Sequence, residues 1–201
     1  MVATTPVSAR IWENPAGSGL MVNRPPDKLL HAPAEIWLRR LMINHLEGRA
    51  RFPADMGLPP AVYRQLAQRV LLAPASRSHA LRQQDELVGM LQHSRQGESQ
   101  GLADWLQQYM VPRGAPLNQL IAFGSLGFNH LWQDLGLSSR EELRELMIDC
   151  FPELLRMNHR NMRWKKFFYR QLCLAEVGEI TCRSPSCEQC CERESCFAPE
   201  V

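Results

Sequence analysis

Apolar side chains recur along this chain at intervals of three and four, the spacing that places them on one face of a helix. In residues 33–48, Ile36, Leu38, Leu41, Met42 and Leu46 form a broad apolar face. Pro33 opens this segment, Glu35 puts a negative charge in its first turn, and Gly48 ends it. Residues 60–73 repeat the pattern with Val62, Tyr63, Leu66, Val70 and Leu71, between Pro60 and Pro74. Residues 76–94 start polar and then carry Leu87, Val88, Met90 and Leu91 on a third helical segment. The stretch RQGESQG at 95–101 reads as a breaker. After it, a short helix turns Leu102, Trp105, Leu106 and Met110 inward, and residues 117–127 make another.

The second half is patterned more sharply. Leu131, Trp132 and Leu135 mark one or two turns that Gly136 ends. Ser138 and Ser139 each precede a glutamate by three residues, Glu141 and Glu142, so either serine can open a helix with a capping box. The inward face of that helix is Leu143, Leu146, Met147 and Cys150, which makes the Cys150 thiol a core group. Pro152 has no N–H to give to the carbonyl four residues back and forces a bend. A last helix over residues 162–175 presents Trp164, Phe167, Phe168 and Leu172, each worth on the order of 1.5–3 kcal/mol when buried.

Nothing in the pattern alternates as a strand does. The expected fold is all-α: an irregular bundle of short helices joined by Pro and Gly turns, followed by a C-terminal cysteine-rich metal-binding loop. Three regions follow: a proline-interrupted tail at 1–33, a helical domain at 34–175, and a cysteine-rich segment at 176–201. The chain has 201 residues, enough for one sizeable core, and its net charge of +2 is too slight to select a partner. No secretory pattern opens the sequence and no apolar run approaches the roughly 20 residues that span a bilayer, so a cytoplasmic protein is expected.

Six of the seven cysteines crowd the C-terminal end: Cys173, Cys182, Cys187, Cys190, Cys191 and Cys196. Four of them, Cys182, Cys187, Cys190 and Cys196, read C-x4-C-x2-C-x5-C. The residues between them are mostly Arg, Ser, Pro, Glu and Gln. So polar a segment cannot order itself by burial, and thiolate–metal bonds can offset its backbone entropy. In a cytoplasmic setting such a cluster points to metal or redox chemistry before structural disulfides. The spacing leaves three occupants open: an iron–sulfur cluster, a closed zinc site, or metal-free redox thiols. Cys191 adjoins Cys190 and reads as a spare thiol, an exchangeable ligand or a surface residue, whereas Cys173, on the preceding helix, reads as a supporting or transient ligand.

Beside the cysteines runs a basic stretch, Arg156, Arg160, Arg163, Lys165, Lys166 and Arg170, with no acid between residues 154 and 175. It reads as a solvated helix face, as a source of positive potential for thiolates and anions, as a docking surface for an acidic partner, or as an RNA contact. No nucleotide loop, nucleophile elbow or H-E-x-x-H occurs, so no familiar catalytic set stands out.

The residues NHLWQDLGL at 129–137, Phe151–Pro152, NMRWKKFFYRQLC at 161–173 and the four-cysteine set closely resemble the nitrogen-fixation NifQ family. The resemblance is specific from about residue 129 to 199, looser upstream, and absent from the first thirty residues. It implies a cytoplasmic iron–sulfur molybdenum donor for assembly of the iron–molybdenum cofactor of nitrogenase. It also implies that Cys182, Cys187, Cys190 and Cys196 hold a cluster able to incorporate molybdenum. The implied partners are a NifEN-type scaffold complex, a NifH-type iron protein, and molybdate or a sulfur-bound molybdenum species. Neither a membrane nor nucleic acid is expected. Cys191 departs from the family pattern by adding a thiol inside the last gap. His130 and His159 are candidate imidazole ligands, against the plainer readings of a helix-start histidine and a member of the basic run. The rival class is a zinc-stabilised helical module that binds nucleic acid or an acidic protein.

Overall fold

The computed structural model describes residues 32–70, 78–93, 95–177 and 194. Among them lie nine helices: α1 (Pro33–Leu46), α2 (Pro60–Arg69), α3 (His79–His93), α4 (Gln96–Gln107), α5 (Leu117–Ser125), α6 (Leu131–Asp134), α7 (Arg140–Cys150), α8 (Pro152–Met157) and α9 (Trp164–Val177). No strand occurs among the described residues, and the all-α expectation holds there. The expected tail, up to residue 31, lies outside them, as do residues 71–77, 94 and 178–201 apart from Glu194.

The bundle is built around α5. Leu117, Leu120, Ile121, Ala122 and Phe123 of this helix are all buried, as befits a segment apolar on every side. Helix α4 packs on α5, α9 packs on α4, and α6 joins α5 to α7, which also carries α1 and α8. An aromatic cluster fastens α9 to α4: the Phe168 ring lies 6.3 Å from Trp105, 5.6 Å from Trp164 and 6.0 Å from Phe167, and Phe168 is fully buried. Across the bundle the Trp37 indole donates to Asp149 Oδ2 at 2.8 Å, tying α1 to α7.

The start of α7 refines the capping expectation. Ser139 is the N-cap, its hydroxyl accepting from the Glu142 N–H at 3.2 Å. The Glu142 carboxylate reaches past it to accept from the N–H and hydroxyl of Ser138, each at 2.6 Å. Leu143, Leu146, Met147 and Cys150 form the buried face, as the spacing predicts. Pro152 separates two helices: α7 ends at Cys150, Phe151 leaves helical geometry at φ −140° and ψ 53°, and Pro152 opens α8.

Four local expectations are corrected. Ile36 is exposed, and the neighbouring Trp37 takes the inward place on α1. The sequence reads His45, beside the apolar face of α1, as partly buried or at a solvent edge; it is fully buried and meets the edge of Phe52 at 6.2 Å. On α3, two of the apolar residues that the helical segment carries, Leu87 and Met90, are 61 % and 73 % exposed, because the face turned to the bundle carries Asp85 and the half-buried Leu81 and Val88. The stretch read as a breaker forms the first turn and more of α4. Arg95 grips the Glu98 carboxylate through two nitrogens, at 2.8 and 2.7 Å, and donates to the Leu126 carbonyl at 2.7 Å. That bidentate contact holds the Glu98 carboxyl below its usual range and offsets part of the local cost of Gly97 and Gly101.

Gly136 ends α6 in the left-handed region, at φ 69°. A Cβ there would lie 2.7 Å from the Ala50 backbone nitrogen and 2.9 Å from the Arg49 carbonyl carbon. Gly136→Ala should therefore destabilise the fold by about 1–3 kcal/mol, the cost of a strained non-glycine conformation. Urea unfolding checks it, and an unchanged midpoint would show that the turn readily rearranges.

Candidate functional site

Helix α9 sets the frame of the C-terminal region. Trp164, Phe167 and Phe168 are buried against the bundle, and the helix continues to Val177. Cys173 rides on it, half-buried. The helix thus brings a fixed support to within a few residues of Cys182. Cys182, Cys187, Cys190, Cys191 and Cys196 lie outside the described residues. Among the described residues, no group of three or more His, Cys, Asp or Glu side chains could hold a metal ion.

Cys150 is the core group that the spacing predicts. It is fully buried, and burial, with Asp149 adding to it, pushes the thiol up to about 12. The folded state therefore keeps its proton where the unfolded chain, near 9.0, loses it. The associated stability is complete below about pH 9 and fades as pH rises toward 12. At pH 8 iodoacetamide should leave Cys150 unlabelled in the native protein and label it once urea unfolds the chain. Peptide mass spectrometry reads the difference, and native labelling would contradict the burial.

The basic run is divided by the fold. Arg156 is exposed and pairs with Glu153 one turn earlier on α8. Lys165 turns inward, where its ammonium donates to Asp134 Oδ2 at 2.6 Å and to the Gly127 carbonyl at 2.9 Å. Asp134 is 1 % exposed and also accepts from Asn129 Nδ2 at 2.9 Å. One carboxylate thereby pins the loop before α6 to the first turn of α9. Gly127 belongs to the same joint, since a Cβ there would collide with the Asp134 carboxylate.

Above this joint opens a shallow cleft of about 460 Å³. Its lining includes Asn129, His130 and Gln133 from the α6 side and Arg163, Lys165 and Lys166 from the start of α9. His130 is the N-cap of α6, its N–H donating to Gln133 Oε1 at 3.0 Å. The helix-start reading of this histidine is correct, and it stands in the cleft as well. His159 is exposed in the turn after α8 and does not line the cleft. Asp134 carried no functional signal in the sequence, because its partner Lys165 lies 31 residues away and no local spacing connects them.

The family model described as NifQ matches residues 37–198, a span that includes the helical bundle and all four motif cysteines. The chain belongs to the NifQ family. Protein NifQ of Klebsiella pneumoniae is 49 % identical over 161 residues, covering 80 % of this chain and 96 % of that protein. Protein NifQ of Azotobacter vinelandii is 37 % identical over 174 residues, covering 83 % of this chain and 89 % of its own. Protein NifQ of Rhodobacter capsulatus is 45 % identical over 96 residues, or 48 % of this chain and 53 % of that protein. No solved structure matches this chain. NifQ proteins act as metal carriers and not as catalysts, and the expectation of a carrier is met at that level. The NifQ match also reaches well upstream of residue 129, into the helices where the resemblance was looser.

Proposed function

We propose that this NifQ protein carries molybdenum on an iron–sulfur cluster held by Cys182, Cys187, Cys190 and Cys196, and donates it for assembly of the iron–molybdenum cofactor of nitrogenase. The observation that carries the reading is the family match over residues 37–198, which runs through the whole four-cysteine motif. The donor chemistry agrees. Four thiolates make a soft set suited to iron–sulfur clusters and to molybdenum bound through sulfur, and ill-suited to hard cations. The rigid α9, anchored by its aromatic face, gives the polar cysteine segment a fixed starting point from which to close on a cluster or release it. When bound, the cluster would supply bridging sulfides to which molybdenum can attach.

The recipients in this reading are a NifEN-type scaffold complex and a NifH-type iron protein, and the compartment is the cytoplasm. No helix among the described residues is long and apolar enough to cross a membrane, which agrees with that compartment. The helical domain at 34–175 serves as the rigid body and residues 176–201 as the loading segment. Protein isolated without oxygen from molybdate-fed cells tests the proposal. It should be brown and contain iron, acid-labile sulfide and molybdenum. A colourless protein with one zinc, or one with neither iron nor sulfide, would overturn it.

A further inference from the structure

We propose that the cleft between the loop before α6 and the start of α9 is a second, separate binding site, one for a tetrahedral oxyanion, and that its ligand is molybdate. The ligand's identity rests on the function proposed above; the oxyanion class rests on the cleft itself.

The lining supplies the charge. Arg163, Lys165 and Lys166 all face this one concavity, with the His130 imidazole and the Asn129 and Gln133 amides, and no carboxylate lines it among the described residues. Asp134 beneath it offsets Lys165. Cationic side chains and amide donors gathered around one concavity are the groups that bind an oxyanion.

The backbone adds donors. Arg163 precedes the first residue of α9, a helix of 14 residues, and the Phe167 N–H is bonded back to the Arg163 carbonyl at 2.9 Å. The N–H groups of Trp164, Lys165 and Lys166 therefore belong to the first turn, which has no intrahelical acceptors, at the positive end of the helix dipole. Two of these three residues line the cleft.

A separate observation points to a missing acceptor. Arg163 Nε is buried and has no hydrogen-bond partner among the described residues. A buried guanidinium N–H without an acceptor is costly, and an anion in the cleft that Arg163 lines is the acceptor that would satisfy it. The site is also held in shape before any ligand arrives. Lys165 and Asn129 are both fixed on Asp134, and Gly127 lets the carboxylate approach the loop backbone. A concavity whose base is fixed before binding suits a compact ion better than an extended acidic chain.

The cleft lies at the start of α9, whereas Cys182 follows the end of that helix in sequence. The two sites would thus divide the work, one capturing the oxyanion and the other holding molybdenum through sulfur.

Equilibrium dialysis of sodium molybdate tests this on the full chain with Cys182, Cys187, Cys190 and Cys196 all replaced by Ala, so that no cluster contributes. One equivalent should bind saturably and be displaced by tungstate. Arg163→Gln and Lys166→Gln should each weaken binding about tenfold, the order expected for one charge-assisted contact. Arg156→Gln, an exposed cation outside the lining, should leave it unchanged. Lys166 is exposed, so its variant keeps the test valid even if Arg163→Gln folds poorly. Absent saturable binding, or binding indifferent to Lys166→Gln, overturns the site. Sulfate or phosphate binding that molybdate does not displace overturns the ligand. The two proposals fail separately. Native protein with iron and molybdenum but a cleft that binds no oxyanion loses only the cleft. A cleft that binds molybdate in a chain that never holds iron loses only the cluster.

Discussion

Replacing Asp134 with Ala should lower the stability of the domain by about 3–5 kcal/mol, the usual cost of removing one partner from a buried ion pair. Its carboxylate is 1 % exposed and receives the Lys165 ammonium at 2.6 Å and the Asn129 amide at 2.9 Å. The Lys165 side chain is itself only 17 % exposed. Without the carboxylate, the ammonium keeps the Gly127 carbonyl and loses its counter-charge. The backbone role of Asp134 survives, since its carbonyl still accepts from the Arg51 N–H at 2.8 Å. The loss is therefore that of the side-chain pair. Asp134→Asn keeps the shape and one acceptor oxygen, and should fall between the two. For a chain of this size 1 kcal/mol moves the melting temperature by about 2–4 °C, so the alanine variant should melt on the order of 10 °C lower. Circular dichroism on heating measures it. A shift of less than about 2 °C would mean that water replaces the carboxylate at Lys165 with little penalty.

The second large effect concerns metal content. Cys182→Ala, Cys187→Ala, Cys190→Ala and Cys196→Ala should each strip most of the iron and sulfide from anaerobically prepared protein. A cluster with one thiolate missing is left open to solvent and to loss of iron. Cys150→Ala should keep a full complement, because that thiol is buried in the bundle core with its proton held far above neutral pH. It should instead cost about 1–2 kcal/mol of stability through the small cavity it leaves. Iron and sulfide assays alongside urea unfolding separate the two classes of cysteine. If Cys150→Ala empties the protein and Cys196→Ala leaves it full, the ligand assignment is wrong. Cys173→Ala and Cys191→Ala, read the same way, decide whether either spare thiol takes part.

Much of the bundle was legible because its signals act within a turn or two. The serine and glutamate before α7, the inward face from Leu143 to Cys150, the proline opening α8 and the aromatic face of α9 depend on neighbours three or four residues away. The four-cysteine motif is local too, and the family match runs across it. Helix α3 misled for a physical reason. Its apolar residues form one stripe, yet the side turned inward is set by what it packs on, and Leu81 lies where Gly48 leaves room. Helix α4 misled because glycine content was weighed without the Arg95–Glu98 contact that holds its first turn.

From sequence alone came the all-α class, most of the helices, the core status of Cys150, the family and the cysteine set. These depend on periodicity and spacing, which the chain carries within short windows. The tertiary structure alone decided which cations are spent on internal pairing and which face a cleft. Lys165 and Asp134 meet only because the fold brings the end of α6 to the first turn of α9, and no local pattern encodes a charge pair closed by distant segments.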